Sequence, residues 1–89
     1  MRAIVTVMGI DRTGIIAKVS DCLFRYDVNI LDINQTIMQN IFTMVMLVEL
    51  NEKNDNANEL LKELEKIGKE IGVDIRMQHE DIFNSMHRI

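Results

Sequence analysis

The sequence predicts an α+β fold in which a four-stranded antiparallel sheet carries two helices on one face, with a short helix at the C-terminus. Two observations support this prediction. Four stretches are rich in β-branched and other apolar residues typical of strands, and two stretches between them repeat their apolar residues at helical spacing. The order is βαββαβ, and right-handed crossovers fold that order into one ferredoxin-like sheet with both helices on the same side. The 89 residues fit a single domain.

The first strand and the first helix are separated by a turn rich in polar residues and glycine. Residues 3–8 alternate and are β-branched, and Gly9 is expected to end this strand. A helix is predicted over about residues 14–26, and Asp11 and Thr13 are both good N-cap residues for it. Its apolar positions are Ile15, Ile16, Val19, Cys22, Leu23 and Tyr26.

The next two strands are predicted to form a hairpin. Residues 28–38 mix β-branched and polar residues, which indicates a half-exposed strand. The turn is expected at Gln39 and Asn40, with Asn40 tolerating a positive φ. Residues 42–50 are apolar on both faces, as expected for a central strand that is covered on both sides or on one side plus a partner.

The C-terminal half repeats the pattern of a helix followed by a strand. After a polar loop over 51–58, a helix is predicted over 59–71 and a strand over 73–78, with Gly72 between them. We therefore assign residues 1–79 to one domain and residues 80–89 to an amphipathic helical tail. The tail places Ile82, Phe83, Met86 and Ile89 on one helical face.

The tail helix needs a surface to pack against, since a helix of about ten residues is not stable alone in water. Three surfaces are available: the bare sheet face of its own domain, the sheet of a dimer partner, or a different protein. We favour the first two, because leaving both apolar surfaces exposed would create a patch that soluble proteins rarely tolerate.

Composition excludes several classes of function. The chain has 14 acidic and 10 dispersed basic residues, which argues against binding nucleic acid. No apolar stretch approaches the roughly 18 residues of a membrane span. Cys22 is the only cysteine, whereas small secreted domains usually carry an even set. These features predict a soluble cytoplasmic protein without a nucleic-acid or membrane partner.

The turn over residues 9–14 is the strongest candidate for chemistry. A helix start exposes unpaired N–H groups and the positive end of the helix dipole, and both attract carboxylates. Asp11 could hold an ammonium group beside them. Together these groups would complement the two charged ends of a free amino acid. The plainer interpretation is that Asp11 or Thr13 only caps the helix and that Gly14 allows close packing.

The same region carries a resemblance to the ACT domain family. The resemblance rests on the run Asp11-Arg12-Thr13-Gly14-Ile15-Ile16-Ala17-Lys18-Val19 and on Val28-Asn29-Ile30 at the second strand. It covers residues 2–79, and the tail over 79–89 is similar to that of small stand-alone ACT proteins. It implies a regulatory, allosteric homodimer that binds an amino acid between paired domains and acts on a metabolic enzyme or regulator.

By this resemblance, the ligand-binding residues fall at two places in the chain. They are Asp11, Arg12, Thr13, Gly14 and Ile15 in the turn, and Asn29 and Ile30 at the second strand, where the neighbouring subunit could supply them. Arg12 departs from many ligand-binding members of the family. It either clamps a second carboxylate or lies in solvent.

Other chemistry is weakly supported, and no catalytic residue, metal site or cofactor is predicted. Cys22 has no nearby histidine in sequence and is expected to be an inert buried thiol. His79 and His87 lie eight residues apart, which does not match a helical metal-binding pair. Two alternatives stay open: an acylphosphatase-like hydrolase that uses Arg12 to hold phosphate, and an adaptor that binds another protein through its tail.

Overall fold

The protein has the predicted βαββαβ order and a single four-stranded antiparallel sheet. The computed structural model describes residues 1–51 and 57–81, so the predicted tail helix lies outside the described residues apart from its first positions. The elements are β1 (Arg2–Ile10), α1 (Ile15–Arg25), β2 (Asn29–Met38), β3 (Ile41–Glu49), α2 (Ala57–Ile71) and β4 (Val73–His79). The strand order is β2-β3-β1-β4, with every neighbouring pair antiparallel. The predicted fold class is confirmed.

The core lies between one face of the sheet and the two helices. Alternate side chains of β1 and β3 point into it, and α1 and α2 each supply one apolar stripe. Fully buried side chains include Val5, Val7, Val19, Cys22, Leu23, Met44, Met46, Val48, Leu60 and Leu64. The other parity of β3 is only half-buried at Thr43, Val45 and Leu47. The central strand is therefore fully covered on one face and partly covered on the other.

Two turn residues differ from the sequence prediction. Gly9 does not end the first strand, which continues to Ile10. A Cβ at Gly9 would lie 2.7 Å from Val73 Cγ1, so glycine lets β1 and the start of β4 approach each other. In the hairpin, Gln39 adopts the positive φ of 58° that was expected at Asn40.

The two edges of the sheet differ in character. All ten residues of β2 are exposed, and five of them are large and apolar: Ile30, Leu31, Ile33, Ile37 and Met38. At the opposite edge, β4 exposes Asp74 and Arg76, which form a 3.0 Å salt bridge. Charged side chains are a common protection of an edge strand against pairing with another chain. Only the β4 edge carries such a pair on the strand itself.

Within the described residues, the structure contains no helix that is both long and apolar enough to cross a membrane.

Candidate functional site

The turn between β1 and α1 is fixed against the β2–β3 hairpin. Ile10 pairs with Ile41 at the end of the sheet, and the next residue, Asp11, donates its backbone N–H to the Asn40 carbonyl at 2.8 Å. Residues 11–14 are exposed and lead directly into α1. The polar turn therefore lies at the same end of the sheet as the hairpin loop.

Helix α1 begins without a side-chain cap. Its N-cap residue is Gly14 in the left-handed conformation, with φ of 92°, and no side chain caps the helix. Asp11 and Thr13 therefore do not cap it, which removes the plainer interpretation of these two residues. The first turn also contains no acidic side chain. Its N–H groups and the positive end of the helix dipole are left without a carboxylate from the helix itself.

A cavity of about 290 Å³ opens between this turn and the hairpin. It is lined by Asp11, Arg12, Gly14, Ile15, Ile16, Ala17, Gln35, Ile37 and Phe42. The structure thus brings together four of the predicted turn residues, whereas Thr13 is exposed nearby but does not line the cavity. A wall of apolar side chains next to one carboxylate and a helix start suits a small zwitterion with an apolar side chain.

Sequence reasoning missed the hairpin side of this cavity. Gln35 and Ile37 lie on β2, and Ile37 pairs with Phe42 on β3 close to the turn. The signal for these residues is the strand register. Ile41 on β3 pairs with Ile10 on one side and with Met38 on the other, so the ends of β1 and β2 flank the start of β3. Without that register, nothing in the local sequence marks them.

Arg12 takes a position that neither sequence alternative described. Its Nη1 donates a hydrogen bond to the Ile71 carbonyl at 3.1 Å, at the last residue of α2. The guanidinium thus lies against the negative end of the α2 dipole while the side chain remains exposed. Its position links the turn to the second helix.

Asn29 and Ile30 lie at the opposite end of the sheet from the turn. Asn29 pairs with Glu49, whereas Met38 pairs with Ile41 beside the turn. Nine steps from one residue to the next separate these two ends of β2, which corresponds to about 30 Å of strand. Within one chain, a single amino acid cannot contact both groups of predicted residues.

Among the described residues, the remaining candidates form no separate site, and His87 lies outside the described residues. Burial raises the pKa of the Cys22 thiol, which keeps it protonated and unreactive in the folded protein. Among residues 1–51 and 57–81, no three His, Cys, Asp or Glu side chains lie close enough to hold a metal ion.

Comparison with known proteins gives a consistent picture. A family model described as the ACT domain matches residues 2–78. A UPF0237 protein of Methanocaldococcus jannaschii is 53% identical over 88 residues, which cover 99% of this chain and 98% of that protein. A solved ACT domain protein from Streptococcus pneumoniae is 41% identical with a TM-score of 0.80, covering 93% of each chain. The regulatory subunit of aspartate kinase from Thermus thermophilus is 29% identical with a TM-score of 0.67, covering 86% of this chain and 50% of that one.

Proposed function

Because this chain belongs to the ACT domain family, a family of regulatory ligand-binding modules, we propose that it binds a free amino acid as a homodimer and catalyses no reaction. The observation that carries the proposal is the cavity between the uncapped start of α1, Asp11 and the apolar wall of the hairpin. The ligand carboxylate would accept hydrogen bonds from the first N–H groups of α1, and its ammonium would face Asp11. Ile16 and Ile37 would contact its side chain.

The β2 edge supports the homodimer. An apolar strand of ten exposed residues can pair with a second copy of itself across a two-fold axis. If the axis passes at Asn34, and Leu31 stays out of the ladder as it does against β3, antiparallel pairing sets Ile30 of the partner subunit opposite Ile37 and Asn29 of the partner subunit opposite Met38. The second copy then brings its Asn29 and Ile30 to the rim of the cavity. Pairing of this kind would reunite the two groups of residues that lie apart in one chain.

The regulatory role is supported by the likeness to a regulatory subunit of a metabolic enzyme. A ligand bound between two subunits would couple amino-acid concentration to assembly, and couplings of this type are typically about 1–3 kcal/mol. We place the target, a metabolic enzyme or regulator, in the cytoplasm with the protein. The free, buried Cys22 is consistent with a reducing compartment.

Arg12 weighs against the hydrolase alternative. An acylphosphatase-like site would need this guanidinium to hold a phosphate, yet Nη1 already donates to the Ile71 carbonyl. The described residues that line the cavity also include no Ser, Cys or His that could act as a nucleophile or base. An amino-acid site, in contrast, would use the carboxylate of Asp11 and the uncapped start of α1.

Binding is tested by thermal unfolding with each of the twenty amino acids at millimolar concentration. At least one of them should raise the melting temperature, since a ligand at 100 times its Kd stabilises the folded state by about 2.7 kcal/mol. Asp11→Ala should abolish this rise while leaving the unliganded melting temperature close to that of the wild type, because Asp11 does not cap α1. Asp74→Ala, which removes another exposed carboxylate that does not line the cavity, is the matched control and should retain the rise.

Two outcomes would contradict this proposal. If no amino acid raises the melting temperature, the ligand is not an amino acid. If Asp11→Ala and Asp74→Ala respond equally to the ligand, the turn is not where it binds.

A further inference from the structure

The sheet face opposite the helices is covered at one end only. Since Ala3, Val5 and Val7 point into the core, the alternate residues of β1 lie on this opposite face. Met8 and Ile10 are 49% and 58% exposed there, whereas Ile4 is only 9% exposed. Ile4 is also absent from the core cluster between sheet and helices.

The neighbouring strand shows the same gradient. Leu47, which pairs with Ile4, is half-buried, whereas Ile41, which pairs with Ile10, is 48% exposed. Whatever shields this face therefore lies over the start of β1 and the end of β3. It does not extend to the end that carries the hairpin loop and the turn.

The chain leaves β4 at the covered end. His79 pairs with Ala3, and the next residue, Glu80, forms a 3.2 Å salt bridge with Arg2 on the same face as Ile4. Glu80 and Asp81 are already helical, and the Asp81 N–H donates to His79 Nδ1 at 3.1 Å. The chain thus turns from strand to helix beside the residue that is unexpectedly buried.

The rest of the chain has the length and pattern to cover this end. Residues 82–89 carry four apolar side chains at helical spacing. Eight helical residues rise about 12 Å. The distance from β4 across β1 to β3 is two strand spacings, or about 10 Å.

We propose that residues 82–89 form an amphipathic helix that crosses the bare sheet face of its own chain, over Ile4 and Leu47. Attachment through the Glu80–Arg2 salt bridge favours the chain's own sheet over that of a partner, because a short tether gives a high effective concentration. The helix protects one end of an apolar face from association. It leaves Met8, Ile10 and Ile41 exposed beside the turn. This inference does not depend on the identity of the ligand.

The placement is tested by thiol labelling of single introduced cysteines, since Cys22 is buried in the core. Leu47→Cys reports on the covered end and Met8→Cys on the exposed end. Each is prepared in the full chain, in a chain ending at Asp81, and with Phe83→Ser or Asn84→Ser as a matched pair. Truncation and Phe83→Ser should accelerate labelling at position 47 by about tenfold or more, while labelling at position 8 changes little. Asn84→Ser lies off the apolar stripe and should leave both rates unchanged.

Three results would overturn the proposal. Unchanged labelling at position 47 would show that the tail does not cover Leu47. Equal acceleration at both positions would show that the tail supports the whole fold and not this end of the face. Protection at position 47 that disappears on dilution of the protein would place the tail on another molecule.

Discussion

Replacing Ile33 with lysine is expected to convert the protein into a monomer that no longer binds amino acid. Ile33 is 44% exposed at the middle of β2, so a charged side chain there leaves the fold of one subunit intact. In the proposed dimer, the two introduced lysines would lie diagonally across the two-fold axis, on the same face of the paired strands. Repulsion between them, together with the lost apolar contact, should weaken dimerisation by about 100-fold or more. Light scattering coupled to size exclusion measures the change.

Met8→Lys provides the matched control for this substitution. Met8 is 49% exposed, but it lies on interior strand β1 and not at the sheet edge. This variant should remain a dimer and retain the ligand-dependent rise in melting temperature. A dimeric Ile33→Lys protein, or dissociation of both variants alike, would exclude β2 as the pairing edge.

Replacing Gly68 with alanine should produce the largest loss of stability among conservative changes. Gly68 is buried on α2, and a Cβ there would lie 2.6 Å from the Val73 backbone oxygen. A backbone atom cannot rotate away, so α2 must shift from the sheet, and overpacking of this kind typically costs about 1–3 kcal/mol. For a domain with about 5–10 kcal/mol of total stability, this is a substantial fraction. Urea unfolding gives the difference directly.

The control for Gly68→Ala exploits the usual preference of helices for alanine. At an exposed position inside a helix, alanine is about 1 kcal/mol more favourable than glycine. Glutamate and alanine are both good helix formers. Glu65→Ala, at an exposed position one turn earlier on α2, should therefore change the free energy of unfolding little. If Gly68→Ala matches the wild type or is more stable, the close contact with Val73 does not constrain the helix.

Much of the fold follows from the sequence because its periodicities are strong. The alternation in β1 and the stripes of α1 and α2 each determine which face is buried, and βαββαβ order then leaves one compact arrangement. Local details were less predictable. Gly9 continues the strand, and its role emerges only where β1 meets Val73, which is far away in sequence. A close approach between distant segments leaves no local pattern in either of them.

The candidate site also combines residues that could be predicted from the sequence with residues that could not. The turn residues are contiguous, so sequence reasoning could identify Asp11 and its neighbours as a unit. Gln35 and Ile37 enter the cavity through the register of the hairpin, and Arg12 is directed toward Ile71 by the position of α2. None of these three placements is encoded locally. Asn29 lies at the far end of β2, so it could contact a ligand at the turn only if a second subunit supplied it.

A mixing experiment tests most directly whether the site is shared between two subunits. Asp11→Ala and Asn29→Ala are each purified, and binding is measured by calorimetry with the amino acid that stabilises the wild type most. Neither variant alone should bind. After unfolding and refolding together in equal amounts, half of the dimers should be mixed, and each mixed dimer should regain one intact site. The mixture should then recover about one quarter of the wild-type binding capacity at wild-type affinity. No recovery in mixed dimers would contradict a site that is completed by the partner subunit.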